Sequence, residues 1–582
     1  MSANLSVEQS LMKAKSYVKK GDLAEAQTLY ETILQNLSNN IKTQKEIGTL
    51  NKPIQNNIIQ NPPQEAFSQL VNLYNQGQME AVIQKAETLT AQYPGAYIVW
   101  NMLGASRAQI GILEEALHAF DNSISLKPDY ADAYYNKGYA LYYLDKLDEA
   151  IEAYRISISL KPDNAEVYSN MGVALKNQGK FDEAILAYRK SISLKPDHAE
   201  AYDNMGVALK DQGKLDEAIK AFKKSILLKP SRAEVYNNLG NTLKEQGRLD
   251  QALETYNKAI SLKPDYADAC CNISFIYNLY GDLKKGLELY EWRQKQKSSP
   301  VRAPRKNLMW DGAKPLSGKK FLVYEEQGLG DAIQFCRYLP MLKQKGAEVT
   351  FKVKKKMHAL LSTIDNEIIL VDSFPDNDQI DFETPIMSLP FLFNTNLDTI
   401  PAKIPYLFTN DNNILSWSKC LTKSTFKVGI CWQGSKNKID YGRSFPLSLF
   451  EGISKIPNVE LISLHKGEGE KQIKGINFDL TILDNNFDTG ENAFVDTAAV
   501  MMNCDLVVTS DTAIAHLAGS LGCPTWVVLK KFPDWRWMLE RKDSPWYPNL
   551  TLYRQKQIDN WTHVFDKIEM DLQSLIKEKG IQ

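Results

Sequence analysis

The chain of 582 residues predicts a helical solenoid followed by an α/β region built of two doubly wound halves. Three observations lead there. A block of 34 residues recurs through the first half, as Pro128, Pro162, Pro196, Pro230 and Pro264 show. After residue 319, short apolar runs alternate with amphipathic stretches, the pattern of parallel sheets with covered faces. Two motifs each follow such a run: Gly328-Leu329-Gly330-Asp331, and Ser510-Asp511-Thr512-Ala513-Ile514-Ala515-His516. A chain of this length exceeds one hydrophobic core, so several domains are expected.

The 34-residue spacing is kept by Gly104, Gly138, Gly172, Gly206 and Gly240, and by Ala116, Ala150, Ala184, Ala218 and Ala252. It is kept again by the rings Phe120, Tyr154, Tyr188, Phe222 and Tyr256, and by Trp100, Tyr134, Tyr168, Tyr202 and Tyr236. Each unit reads as two helices. In one, residues 165–177 carry Tyr168, Met171, Gly172 and Leu175 at helical spacing. Gly179 breaks that helix, Phe181-Asp182-Glu183-Ala184 opens the second, and Pro196 ends the unit because proline cannot continue a helix. Small residues at Gly172 and Ala184 let the two helices approach, and Tyr168 and Tyr188 fill the space. Units are regular from 97 to 266. The unit 267–300 is altered, with Cys270, Ser274 and Gly286 at the aromatic, glycine and alanine positions, which suits a last repeat packed on a different neighbour.

This pattern is similar to the tetratricopeptide repeat, whose stacked helical hairpins form a superhelix with a concave face. The sixth position of successive units holds Asn136, Asn170, Asn204, Asn238 and Asn272. A carboxamide both donates and accepts, so such a ladder can hold an extended peptide backbone without reading its side chains. It resembles the asparagine ladder of the protein O-GlcNAc transferases, which implies a protein or peptide in the concave face. The alternative is that these asparagines bond within the array. The expected organisation is a degenerate repeat at 1–40, an Asn/Gln/Pro-rich linker at 41–63, the array at 64–300, a Pro/Gly linker at 301–318, and two α/β halves at 319–410 and 425–582.

In the first half, 320–324 reads as a strand, 328–330 as a tight turn, 331–345 as a helix, and 349–353 and 368–371 as strands. In the second, 427–432, 459–464, 506–509 and 525–529 read as strands, with helices at 496–502 and 511–521. Ligands of such sheets sit at the C-terminal strand ends. Asp511 or Thr512 can cap the helix that follows, whose free N–H groups suit a diphosphate.

At these motifs the chain resembles the ADP-heptose:lipopolysaccharide heptosyltransferases and their relatives (glycosyltransferase family nine), enzymes of the two-Rossmann GT-B fold. The family has an Asp-Thr-Gly-x-x-His run against donor diphosphate and a Gly-Asp after its first strand whose Asp is the proposed base. The resemblance implies Asp331 as base, and Gly330, Arg443, Asp511, Thr512 and His516 at a nucleotide-sugar donor. It implies a metal-independent, inverting transfer with no cofactor beyond the donor substrate. Ala513 replaces the motif glycine, and Glu325 and Glu326 stand where the family favours small polar residues. These departures point to a branch in which the domain follows tetratricopeptide repeats. Phe532-Pro533-Asp534-Trp535-Arg536-Trp537 and Ser544-Pro545-Trp546-Tyr547-Pro548 look characteristic of that branch. Each assignment has a structural alternative: Asp331 as a helix cap, Arg443 as a surface ion-pair partner, His516 as a core histidine.

A net charge of −1 offers nothing for nucleic acid or an anionic surface. Lys352, Lys354, Lys355 and Lys356 read as a solvated strand end or helix start. Seven scattered cysteines without a CxxC pair argue against zinc or a disulfide framework and fit a reducing compartment. No signal-peptide run or 18-residue apolar span occurs, so a cytoplasmic protein is expected. Two functions compete: a glycosyltransferase whose repeats recruit a protein or glycan acceptor, and a repeat scaffold carrying a degenerate, non-catalytic sugar domain.

Overall fold

The computed structural model describes residues 61–296, 302–375, 380–421, 426–434, 442–484, 486–489, 493–558 and 560–580. The degenerate repeat expected at 1–40 and nearly all of the linker expected at 41–63 lie outside the described residues. Two compact units divide the chain, one ending at Leu262 and the other beginning at Lys263.

The first unit is a row of helical hairpins: α1 (Gln64–Asn75) with α2 (Met79–Gln92), α3 (Tyr97–Gln109) with α4 (Leu113–Leu126), and α5 (Ala131–Tyr143) with α6 (Leu147–Leu160). There follow α7 (Ala165–Asn177) with α8 (Phe181–Leu194), α9 (Ala199–Asp211) with α10 (Leu215–Leu228), and α11 (Ala233–Glu245) with α12 (Leu249–Leu262). The glycine and ring ladders explain each other. A Cβ added at Gly104, Gly138, Gly172, Gly206 or Gly240 would stand 2.5–2.7 Å from the buried ring of Phe120, Tyr154, Tyr188, Phe222 or Tyr256. Real carbon contacts are longer, so only glycine admits the ring. The ring thus seats within its own hairpin. The turns need a left-handed residue, which Gly179, Gly213 and Gly247 supply at φ 76°, 78° and 76°. In the α5–α6 turn Asp145 takes that place at φ 60°.

The second unit opens with the altered repeat, α13 (Ala267–Tyr280) and α14 (Leu283–Tyr290). Its departures have a packing cause. The buried carboxamide of Asn278 fills the interhelical space, and a Cβ at Gly286 would lie 2.0 Å from its Oδ1. Ser274 occupies the glycine position, and the ring at the aromatic position, Tyr290, makes its contacts with the α/β region instead.

Two all-parallel sheets follow. The first holds β1 (Lys320–Tyr324), β2 (Glu348–Lys352), β3 (Ile369–Val371) and β4 (Phe382–Pro385) in the order β3-β2-β1-β4. Phe321 registers with Val349 on one side and Phe382 on the other. The second holds β5 (Phe426–Cys431), β6 (Val459–Ser463), β7 (Leu506–Ser510), β8 (Thr525–Leu529) and β9 (Leu550–Arg554) in the order β6-β5-β7-β8-β9. Its core joins Val428, Ile430, Trp432 and Val508 to Phe565, Ile568 and Leu572 of the C-terminal helix, Thr562–Glu578. β4, β9 and this helix are not among the elements expected from the sequence.

The helix expected at 331–345 starts earlier and breaks. It runs Leu329–Phe335 (α15), passes through a 3-10 turn at Cys336–Tyr338, and resumes at Leu339–Gln344. Pro340 has no N–H to carry a continuous helix through that point. The helix expected from 511 starts at Ala513 (α16, Ala513–Leu521), with Thr512 at its N-cap and no side-chain capping bond. Among the described residues no helix is long and apolar enough to cross a membrane.

Overpacking a filled core slot costs about 1–3 kcal/mol. Gly206→Ala, which drives a methyl into Phe222, is therefore expected to lower the urea or thermal midpoint, and adding Phe222→Leu should restore part of the loss. A midpoint unmoved by Gly206→Ala would contradict the close-packed hairpin.

Candidate functional site

In each sheet the strand order reverses once, between β1 and β4 and between β5 and β7. Such switch points open a crevice at the C-terminal strand ends. The segment after β1 carries Gly330 and Asp331, and the segment after β7 carries Asp511, Thr512 and His516. The two segments meet. A Cβ on Gly330 would lie 2.9 Å from the His516 ring and 3.4 Å from Ala513 Cα. Glycine at 330 is thus required by close approach of the two halves.

Asp331 sits at the third position of α15. Its Oδ2 accepts the Gly328 N–H at 2.8 Å and its Oδ1 accepts Arg536 Nη2 at 2.5 Å. The helix-end alternative therefore holds in modified form: the carboxylate bonds back to the N-cap amide. Arg536 also donates Nη1 to Asp534 Oδ1 at 2.8 Å and Nε to Gln334 Oε1 at 2.8 Å, and its guanidinium lies 4.7 Å from the Trp535 ring centre. Burial raises the Asp331 pKa from its ordinary value, and Arg536 pulls against that rise.

Asp511 stands near the same cluster. Burial and the neighbouring charge of Asp534 push its pKa up to about 6, while Trp537, Arg443 and Arg536 oppose the shift. Arg443 lies against Gly434, where a Cβ would be 2.5 Å from its Nη2. Residues 435–441 lie outside the described residues.

His516 is buried in the seam, 6% exposed. Its Nδ1 pairs with the Tyr547 hydroxyl at 3.0 Å, and its ring stacks on Trp537 at 5.3 Å. Burial first, then Arg536 and Arg337, hold its pKa well below the ordinary value, so it is neutral. Arg337 was not singled out by the sequence. Buried, it donates Nη1 to the Trp546 carbonyl at 2.6 Å, Nε to the Gln334 carbonyl at 2.8 Å and Nη2 to the Tyr406 hydroxyl at 2.8 Å. Its guanidinium packs 4.5 Å from the Tyr547 ring centre. The 544–548 motif thus gains a role, since Trp546 and Tyr547 tie Arg337 of the first half and His516 of the second into one buried layer.

At the ends of β5, β6 and β7, three buried polar atoms lack hydrogen-bond partners among the described residues: Gln433 Nε2, His465 Nε2 and Ser510 Oγ. His465 stacks on Trp432 at 4.4 Å, and burial lowers its pKa to about 4. Unclaimed polar atoms of this kind mark a ligand or ordered water. Among the described residues no group of three or more His, Cys, Asp or Glu is arranged to hold a metal.

Three asparagines of the ladder donate within the array. Asn136 Nδ2 bonds Asn101 Oδ1 at 3.0 Å, Asn170 Nδ2 bonds the Tyr135 hydroxyl at 3.0 Å, and Asn238 Nδ2 bonds Asp203 Oδ1 at 3.1 Å. Each partner belongs to the preceding hairpin. Asn204 is half-buried on α9, and Asn272 lies on α13.

Models of the tetratricopeptide repeat match residues 138–179, 165–198 and 197–265, so this stretch consists of tetratricopeptide repeats. Protein FlbA of Caulobacter vibrioides is 24% identical over 290 residues, 45% of this chain and 47% of that protein. The chain spans about half the length of that curated relative. Among solved structures, YrrB, described as a TPR protein with an unusual peptide-binding site, is 23% identical, covering 32% of this chain and 95% of its own at a TM-score of 0.28. MamA 41-end from Desulfovibrio magneticus RS-1 is 20% identical, covering 29% and 96% at 0.28. Pseudomonas aeruginosa PilF is 19% identical, covering 34% and 90% at 0.32.

The Asp511 environment sets a pH dependence. An acid whose folded pKa exceeds its unfolded one holds its proton more tightly in the folded state, so its contribution is present at low pH and lost as pH rises. With a folded value of about 6, the loss falls between about pH 4 and pH 6. Asp511→Asn is expected to stabilise the protein at pH 8 and to have little effect at pH 4, read from thermal midpoints. Equal effects at both pH values would refute the assignment.

Proposed function

We propose that the chain is a glycosyltransferase of the two-sheet GT-B type, moving a sugar from a nucleotide-diphosphate donor to a protein or glycan acceptor recruited by its repeats. The observation that carries this reading is the meeting of the Gly330-Asp331 turn with the Asp511–His516 segment at the crevices of two parallel sheets. That is where a donor held by one half and a nucleophile activated by the other must come together.

Glycosyl transfer requires a base for the acceptor hydroxyl and a counter-charge for the departing diphosphate. Asp331 is the candidate base, and its raised proton affinity suits the task. Arg443, with the N-terminus of α16, is the candidate diphosphate partner. Gln433, His465 and Ser510 offer unclaimed polar atoms to the donor. His516 supports the seam and acts on donor only through it. A metal-independent, inverting course follows from the resemblance to the heptosyltransferases. The repeats supply a protein-binding surface, and Asn136, Asn170, Asn204 and Asn238 are its candidate peptide contacts.

One observation favours the scaffold instead. Both Asp331 oxygens are engaged, so the carboxylate takes a proton only after Arg536 or the Gly328 amide lets go. The test is thermal unfolding of the full chain with UDP, GDP, ADP, TDP and CMP. A true ligand at a hundredfold excess over its Kd stabilises by about 2.7 kcal/mol. One nucleotide is expected to shift the midpoint, with the shift lost in Arg443→Ala and kept in Asp331→Asn, and transfer abolished in Asp331→Asn. No shift with any nucleotide would overturn the transferase in favour of the scaffold.

A further inference from the structure

The last repeat does more than end the solenoid. Immediately after α14, Arg293 is 3% exposed and all its donors are used. Nε and Nη2 form a two-pronged pair with Glu326 at 2.8 and 2.8 Å. Nη2 also donates to Ser388 Oγ at 2.8 Å, and Nη1 to Glu291 Oε1 at 2.7 Å. Glu326 in turn accepts the Met387 N–H at 2.8 Å. One guanidinium therefore clamps the segment that leaves β1 to the segment that leaves β4. Those two strands flank the crevice of the first sheet.

Tyr290 works beside it. Its hydroxyl accepts Gln327 Nε2 at 3.0 Å, one residue along the same turn from Glu326. Its ring lies 6.4 Å from Trp535, the neighbour of Arg536. Four residues after Gln327 comes Asp331. The register of the repeat explains why Tyr290 is available: Ser274 stands where other hairpins have the glycine that receives the ring.

We propose that Arg293 and Tyr290 are positioning residues of the candidate site: the final repeat holds the 325–331 turn, and so sets the orientation of Asp331 towards Arg536. The functional α/β unit then begins at the last repeat, not at the linker. This rests on the transferase reading only for the identity of the reaction. The holding of the turn is independent of it.

The test uses the full chain with Arg293→Lys, Arg293→Met and Tyr290→Phe. Hydrogen–deuterium exchange of peptides covering 325–331 is expected to quicken in Arg293→Met and Tyr290→Phe, with partial recovery in Arg293→Lys, while peptides from β5 and β7 keep their protection. On the nucleotide-sugar whose nucleotide binds, kcat should fall roughly tenfold to a hundredfold, with nucleotide affinity unchanged. Tyr290→Phe removes one hydroxyl and keeps the ring, so it decides the matter if Arg293→Met fails to fold. Unchanged exchange at 325–331 in Tyr290→Phe and Arg293→Lys, or equal quickening across both sheets, would overturn the proposal. If no nucleotide binds the wild type, the transferase reading fails and the exchange data alone judge the positioning role.

Discussion

The α/β unit turns on a buried ion pair between its two sheets, Asp331 of the first with Arg536 of the second. Taking both charges from water is costly, and their attraction offsets that cost only when geometry is good and every remaining donor is satisfied. Arg536 is shared among Asp331, Asp534 and Gln334, and Asp331 has the Gly328 amide. Breaking such a pair from one side typically costs about 3–5 kcal/mol. The surrounding layer fits this constraint. Gly330 has no side chain, so the His516 ring can approach. His516 stays neutral beside two guanidinium groups. Arg337 stays charged and is held by carbonyls, a hydroxyl and aromatic faces, with no acid as partner in these bonds.

The repeats follow a different economy, short-range and periodic. Five hairpins use the same glycine to seat the same ring. Departures from the period therefore stand out. The α13–α14 pair keeps the turn but shortens its second helix to eight residues and exchanges glycine for Ser274 and alanine for Gly286. Both changes have a local cause in Asn278 and Tyr290. The pattern weakens where the last hairpin stops serving the array and begins serving the sheets.

Legibility in the sequence tracked this distinction. The helices of the regular repeats were readable almost to the residue, because glycine, ring and proline mark every boundary. Strands β1, β5, β7 and β8 were readable as apolar runs buried on both faces. β4 was not, since Phe382-Glu383-Thr384-Pro385 contains a buried glutamate, paired with Arg305. β9 alternates apolar and polar residues and ends in Arg554. The motif residues Asp331, Arg443, Asp511 and His516 were legible as types, but their partners were not. Asp331 meets Arg536, and Arg337 meets Trp546, across roughly two hundred residues of sequence. The 532–537 and 544–548 segments were noticed as unusual, and only the fold shows that they close the seam.

The same ion pair sets the terms on which Asp331 can do chemistry. A carboxylate bonded to a guanidinium is stabilised in its charged form, which weakens it as a base. Burial and the nearby Asp534 and Glu326 charges act the other way. The balance shifts if Arg536 turns towards an incoming anion, for then Asp331 loses its partner while remaining buried. Its proton affinity would rise when a diphosphate is present to draw the arginine off. Arg536 is well placed to respond, because Asp534, Gln334 and the Trp535 face hold it on its other sides and limit it to small rotations. On the proposed transferase reading, a site arranged this way is quiet without donor and basic with it.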